Sequence, residues 1–323
     1  FHALRQSPIY KAITMKLRTK TLLFTGLPLL LLIALVAGLL LRQLYATRME
    51  LGQQRLLDQV AKVAARVSAK NEYANRIARV MAITQEAGMF GDSRRSLQFL
   101  QGLIAAHPVL NGVYFCYEAI APGTTGKAAV TGAGTDATGR FVPYYFRPKD
   151  SPDAVLVPAL HMDSSYYYRG VKNALAGKPE AEGVTLEGGI SALYQPPSAD
   201  QAREAREIVV EPFNYEGSAN VPQVSPIIID GRFAGVAGVN LTLDDIDNFM
   251  LGMRSYKTEQ FLLVSKRGRM ISATMAPDLR WKVLEQTPYG PLLKDFYLSK
   301  DSQTLTLVDD PITGERRFLV GAR

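Results

Sequence analysis

Residues 22–41, LLFTGLPLLLLIALVAGLLL, run for twenty positions without a charge, and nothing else in the chain is patterned like them. Twenty helical residues at about 1.5 Å each reach roughly 30 Å, the hydrocarbon thickness of a bilayer. Beyond them, polar and apolar positions mix. Residues 42–90 lack proline and repeat small or apolar residues in sevens: Val60, Val67, Ala74 and Met81 form one row, and Val63 and Ile77 a second that Lys70 interrupts. This predicts a long helix, read as a signalling stalk that pairs with a twin, as a helix packed along its own domain, or as both at once. Asp92 or Ser93 caps a second helix through Ala106, with Leu97, Leu100, Leu103 and Ile104 as its apolar stripe. After Pro108 the pattern turns to strands, at 111–118, 140–147, 207–215, 223–230 and 232–242. Asp230-Gly231 marks a tight hairpin, and a short helix follows over 243–253. Two more hairpins turn near Arg267-Gly268 and Pro311–Gly314; segments 119–139 and 179–206 read as loops.

Charge sharpens the picture. The chain holds 37 Lys+Arg against 30 Asp+Glu, a net of +7. Residues 1–48 hold seven of the basic side chains and no acid, so the rest balances at zero. The basic excess therefore flanks the apolar run, and a nucleic-acid-binding face on the body is not expected. Five of the seven precede the run, which by the positive-inside rule places the N-terminus in the cytoplasm and the body outside. The run is longer than the apolar core of a signal peptide, and it has no small-residue cleavage site. It is also apolar on every face, unlike a core helix of a globular domain. Cys116 is the only cysteine, and His2, His107 and His161 are scattered, so no disulfide framework, metal site or cofactor is expected.

The predicted order is α+β: two successive units on a long N-terminal helix. This succession resembles the double Cache family of extracytoplasmic sensor domains in bacterial transmembrane receptors. The residues that carry the resemblance are RFVPYYFR (140–147), MDSSYYY (162–168) before a helix, Glu211-Pro-Phe213, SPIIIDG (225–231), and FAGVAGVNLTLDD (233–245). It covers about residues 42–320. It implies a spanning helix running into a stalk and then two PAS-like antiparallel-sheet modules. The expected boundaries are a basic tail at 1–20, the membrane helix at 21–41, the stalk at 42–90, a membrane-distal module at 91–253 and a membrane-proximal one at 254–323. The last is expected to stop short of a second spanning helix.

The resemblance further implies a small-molecule ligand in the distal module. Its amino-acid-binding members grip the ligand carboxylate with an arginine shortly before an aromatic pair, and the amine with an aspartate closing the glycine-rich strand. Here Tyr167 and Tyr168 stand at the aromatic pair, Ser164-Ser165 replace the arginine, Asn240 replaces the aspartate, and Phe213 stands where tyrosine is usual. Both charge clamps are missing, so an α-amino-acid receptor of that type is not expected. The remaining candidate ligand contacts are Tyr145, Arg147, Tyr166, Tyr167, Tyr168, Phe213, Tyr215 and Asn240. Gly132–Ala137 matches a dinucleotide fingerprint only by letters, because a strand follows it; no nucleophile elbow or HExxH is present. No catalytic residue is nominated, and Lys266-Arg267-Gly268-Arg269 reads as a solvated hairpin tip. The expected function is ligand sensing by an inner-membrane receptor with a periplasmic or extracellular body, in homodimers formed through the stalk. The alternative is a membrane-anchored structural protein that self-assembles through its body.

Overall fold

The computed structural model describes Lys20 and residues 22–119, 132–149, 151–185, 190–195, 208–215, 218–299 and 301–322. The chain divides into two compact units, residues 1–58 and 59–323, and one long helix contributes to both. A π-helical turn, Leu22–Gly26, leads into α1, Leu27–Thr84. Over residues 22–41 the large apolar side chains are exposed, among them Leu31, Leu35 and Leu39. It is the one described helix long and apolar enough to cross a membrane.

In the second unit, α1 buries the row predicted from the sevenfold repeat. Ala74, Ala78, Met81 and Ala82 are buried in the main core, while Val60, Val63 and Val67 pack with Ile246, Met250 and Phe261. Of the two readings left open, this row is therefore committed to its own domain. Tyr73, Val80 and Ile83 face outward. The helix ends in a second π-helical turn, Gln85–Met89, where Gly88 takes a φ of 108°. There Tyr117 donates to Gln85, and Ser96 lies within 3.3 Å of both side chains. Burial pushes the Tyr117 phenol up to about 12. Asp92 caps α2, Ser93–Ala106, by accepting from the Arg95 amide at 3.0 Å, as the sequence predicts.

Among the described residues, seven antiparallel strands form the main sheet: β1 (Leu110–Tyr117), β2 (Pro143–Phe146), β3 (Val155–Pro158), β4 (Ile208–Val209), β5 (Phe213–Tyr215), β6 (Ser218–Ile229) and β7 (Arg232–Thr242). Their order is β3-β2-β1-β7-β6-β4, with β5 also on β6. The Asp230-Gly231 hairpin forms where predicted, both residues having the positive φ that a type I′ turn requires (49° and 74°). Between β3 and β4 the chain makes a π-helical turn, Tyr166–Gly170, and a short helix, α3, Val171–Leu175. Downstream lie α4 (Asp244–Met253), β8 (Leu262–Val264), β9 (Met270–Ala273), α5 (Gly290–Leu298), β10 (Gln303–Asp309) and β11 (Arg316–Ala322). β8–β9 and β10–β11 are separate two-stranded ribbons. The architecture is α+β, with a long apolar N-terminal helix ahead of antiparallel sheets.

Candidate functional site

Strand alternation divides the main sheet into two faces. Val113, Phe115, Tyr117, Val239 and Leu241 pack on one, against α1 and α2. Tyr114, Cys116, Tyr144, Phe146 and Val236 lie on the other, under Met162, Tyr168 and Val171 of the β3–β4 connection. Two glycines shape this second face. The Tyr144 ring lies over Gly112 and the Tyr114 ring over Gly238, each where a Cβ would otherwise stand. The sheet floor is thus tiled with phenol rings lying against backbone. Tyr114 meets Tyr144 edge-on at 5.8 Å and Tyr167 at 5.5 Å.

Polar groups sit within this aromatic layer. Asn240, only 1% exposed, donates from Nδ2 to the Tyr144 hydroxyl at 2.9 Å. Its Oδ1, and the hydroxyl of Tyr114, are buried without a hydrogen-bond partner among the described residues. Burial raises the Tyr114 phenol well above its ordinary range. The same cause, with Glu118 adding to it, raises that of Tyr168. Both phenols are therefore protonated and neutral throughout the physiological range. No three His, Cys, Asp or Glu residues converge as metal ligands among the described residues.

The structure divides the eight residues expected to line the site. Tyr166, Tyr167, Tyr168 and Asn240 come together on the tyrosine face. Tyr145 packs instead on the helix-side core. Arg147, on that same side of β2, donates to the carbonyls of Leu110 and Ile104. It thereby satisfies a carbonyl in the last turn of α2, which that helix leaves unpaired. The reason is the two-residue period of β2: Tyr144 and Phe146 take one face, and Tyr145 and Arg147 the other. Phe213 is half-buried on β5, opposite Asn220 of β6. Tyr215 pairs with Ser218 in that strand, and its side chain lies outside the described residues. Tyr114 joins the tyrosine face although the expected set does not include it; its signal is the pairing of a tyrosine with a glycine on the neighbouring strand, Gly238.

The charged tip of the β8–β9 hairpin corrects a second expectation. Lys266 is exposed as expected, but Arg267 is only 4% exposed and Arg269 3%. Arg267 pairs with Glu180, and its amide donates to Glu211 Oε1 at 3.2 Å. Its guanidinium lies over the rings of Tyr166 (4.9 Å) and Tyr194 (5.7 Å). Burial opposes its charge, but Glu180 and Glu211 more than compensate, holding its pKa above the ordinary value. Arg269 donates to the Pro212 carbonyl at 3.3 Å and lies over Trp281.

No family model and no curated protein matches the chain. Solved structures do. An extracellular domain assigned to histidine kinase mmHK1S-Z3 is 26% identical, with a TM-score of 0.63, over 84% of this chain and 89% of that one. The corresponding domain of mmHK1S-Z2 is 24% identical, with a TM-score of 0.64, over 84% and 91%. The periplasmic sensory domain of the Campylobacter jejuni chemoreceptor Tlp1 is 14% identical, with a TM-score of 0.61, over 84% and 89%. Over most of its length, this chain has the fold of the extracellular and periplasmic sensory domains of histidine kinases and chemoreceptors, in keeping with its resemblance to the double Cache sensors.

Proposed function

We propose that this chain is the sensing part of a transmembrane receptor, and that it takes a small molecule on the tyrosine-lined face of its main sheet. That face belongs to the membrane-distal module, and residues 22–41 anchor the chain in the inner membrane with the body outside. The observation that carries this reading is the buried pair of unmatched polar atoms, the Tyr114 hydroxyl and Asn240 Oδ1, set in an aromatic layer beneath the β3–β4 connection. Buried polar atoms are nearly always hydrogen-bonded, and this donor and acceptor would both be satisfied by one bound molecule. The fold supports the same role. With no charged side chain among Tyr114, Tyr144, Tyr167 and Asn240, the face suits an uncharged or planar group better than a zwitterion. A thermal-shift screen of metabolites on the full chain in detergent tests it. A ligand at a hundredfold excess over its Kd stabilises by about 2.7 kcal/mol, and Asn240→Ala should remove that shift. The reading fails if no small molecule stabilises the protein and Tyr167→Ala leaves the receptor's response intact.

A further inference from the structure

The β8–β9 hairpin lies outside the main sheet, yet its tip is held by three segments of the sheet domain. Tyr166 opens the π-helical turn that also carries Tyr167, one of the rings on the tyrosine face. Glu180 follows α3, and Glu211 follows β4. All three meet at Arg267: Tyr166 by its ring, Glu180 by its carboxylate, Glu211 at the arginine's own amide. The grip continues around the tip. The Ser191 amide donates to the Arg267 carbonyl at 3.0 Å, and Tyr297 donates to the Lys266 carbonyl at 2.6 Å. Gly268, at φ 79°, sits so close to Ser191 that a Cβ would overlap it. Strands of three and four residues do not fix their own geometry, so the position of this hairpin depends on what holds it: Ile271 and Leu263 in the core at its base, and these contacts at its tip. A buried cation also tolerates poorly the loss of a partner, since the unpaired charge stays out of water.

We propose that Arg267 is a positioning residue of the candidate site, contributed by the β8–β9 hairpin, and that displacement of Tyr166 on the tyrosine face reaches the hairpin through the hold on this one side chain. Arg267 is thus a point where the sheet domain and the segment after it share a switchable contact, beside the fixed packing of Ile271 in the main core. The direction of the signal, from ligand to hairpin, rests on the ligand-binding reading above; the contact itself does not.

The experiment therefore uses no ligand. Amide hydrogen exchange is measured on the full chain in detergent micelles for Tyr166→Ala, Glu180→Gln, Arg267→Lys and the double variant Tyr166→Ala/Arg267→Lys. Tyr166→Ala and Glu180→Gln should each speed exchange over residues 262–273 by about tenfold, the scale of a local opening, while β6 and β7 stay protected. Arg267→Lys keeps the charge but loses the planar stacking, so it should speed exchange less than Tyr166→Ala does. Adding it to Tyr166→Ala should add little, because both changes break the same contact. Independent, multiplying effects overturn the proposal. So does a uniform loss of protection across the sheet, which a merely structural role would give. If the tyrosine and arginine variants fail to fold, Glu180→Gln decides alone, and unchanged exchange in the hairpin overturns the proposal. A failed metabolite screen with a positive exchange result would remove the ligand reading and leave the contact standing.

Discussion

Single positions on the tyrosine face leave little room for change. At Gly238 a Cβ would stand inside the Tyr114 ring, which is itself buried. Gly238→Ala should therefore destabilise the fold by about 1–3 kcal/mol, the usual cost of overpacking a tight core, read as a lower denaturant midpoint at unchanged slope. Just ahead of β2, Arg140 donates to both oxygens of Asp163, at 3.0 and 2.5 Å. These hydrogen bonds, against a smaller desolvation effect, hold the Asp163 carboxyl below its ordinary value. A carboxyl depressed on folding contributes stability that is complete above its unfolded pKa, about 3.9, and is lost as pH falls through the lower folded value. A melting series from about pH 6 to about pH 2 should show that loss at the acid end, with a shallower slope in Asp163→Asn. Which tyrosines share a face depends on strand register. The spacing of Tyr144 and Tyr145 correctly separates them onto opposite faces, but spacing alone does not say which face the helices cover.

The elements themselves were largely legible. The Asp92 cap, the Asp230-Gly231 turn and the charge-free run are local signals, complete within a few residues. The burial of Arg267 was not legible, because its partners Glu180 and Glu211 lie 87 and 56 residues away. A run of Lys and Arg at a hairpin tip reads as surface until distant acids are brought to it. The sevenfold row of α1 gave the helix but not its neighbour. Ala74 and Ala78, both fully buried, bring the helix close to the sheet domain. Ala78→Leu should cost about 1–3 kcal/mol in unfolding free energy by overpacking that contact. Pairing of two copies along α1 needs a different row, the outward Tyr73, Val80 and Ile83. If such pairing forms, Val80→Glu should shift the sedimentation of the full chain in detergent toward the monomer, and Val60→Ala should not.

For the whole molecule, the seven basic residues of 1–48 and the apolar run make a topological prediction. An alkaline phosphatase domain fused after Leu51 should be active, because that enzyme folds outside the cytoplasm, and reversing the flanking charges should lower its activity. The order of assembly follows from the ribbons downstream of the main sheet. A three-residue strand paired with a four-residue one cannot persist alone, and the β8–β9 tip is seated on Tyr166, Glu180 and Glu211, all made before it. Because those residues leave the ribosome before the tip does, the sheet domain is expected to take shape first and the last segment to be moulded onto it, an order that pulse-labelled hydrogen exchange during refolding would check. Ends of the protein that look modular on paper act on each other as template and casting: cut free of residues 166–211, the later hairpin would keep the packing of Ile271 and Leu263 but lose the mould for its tip.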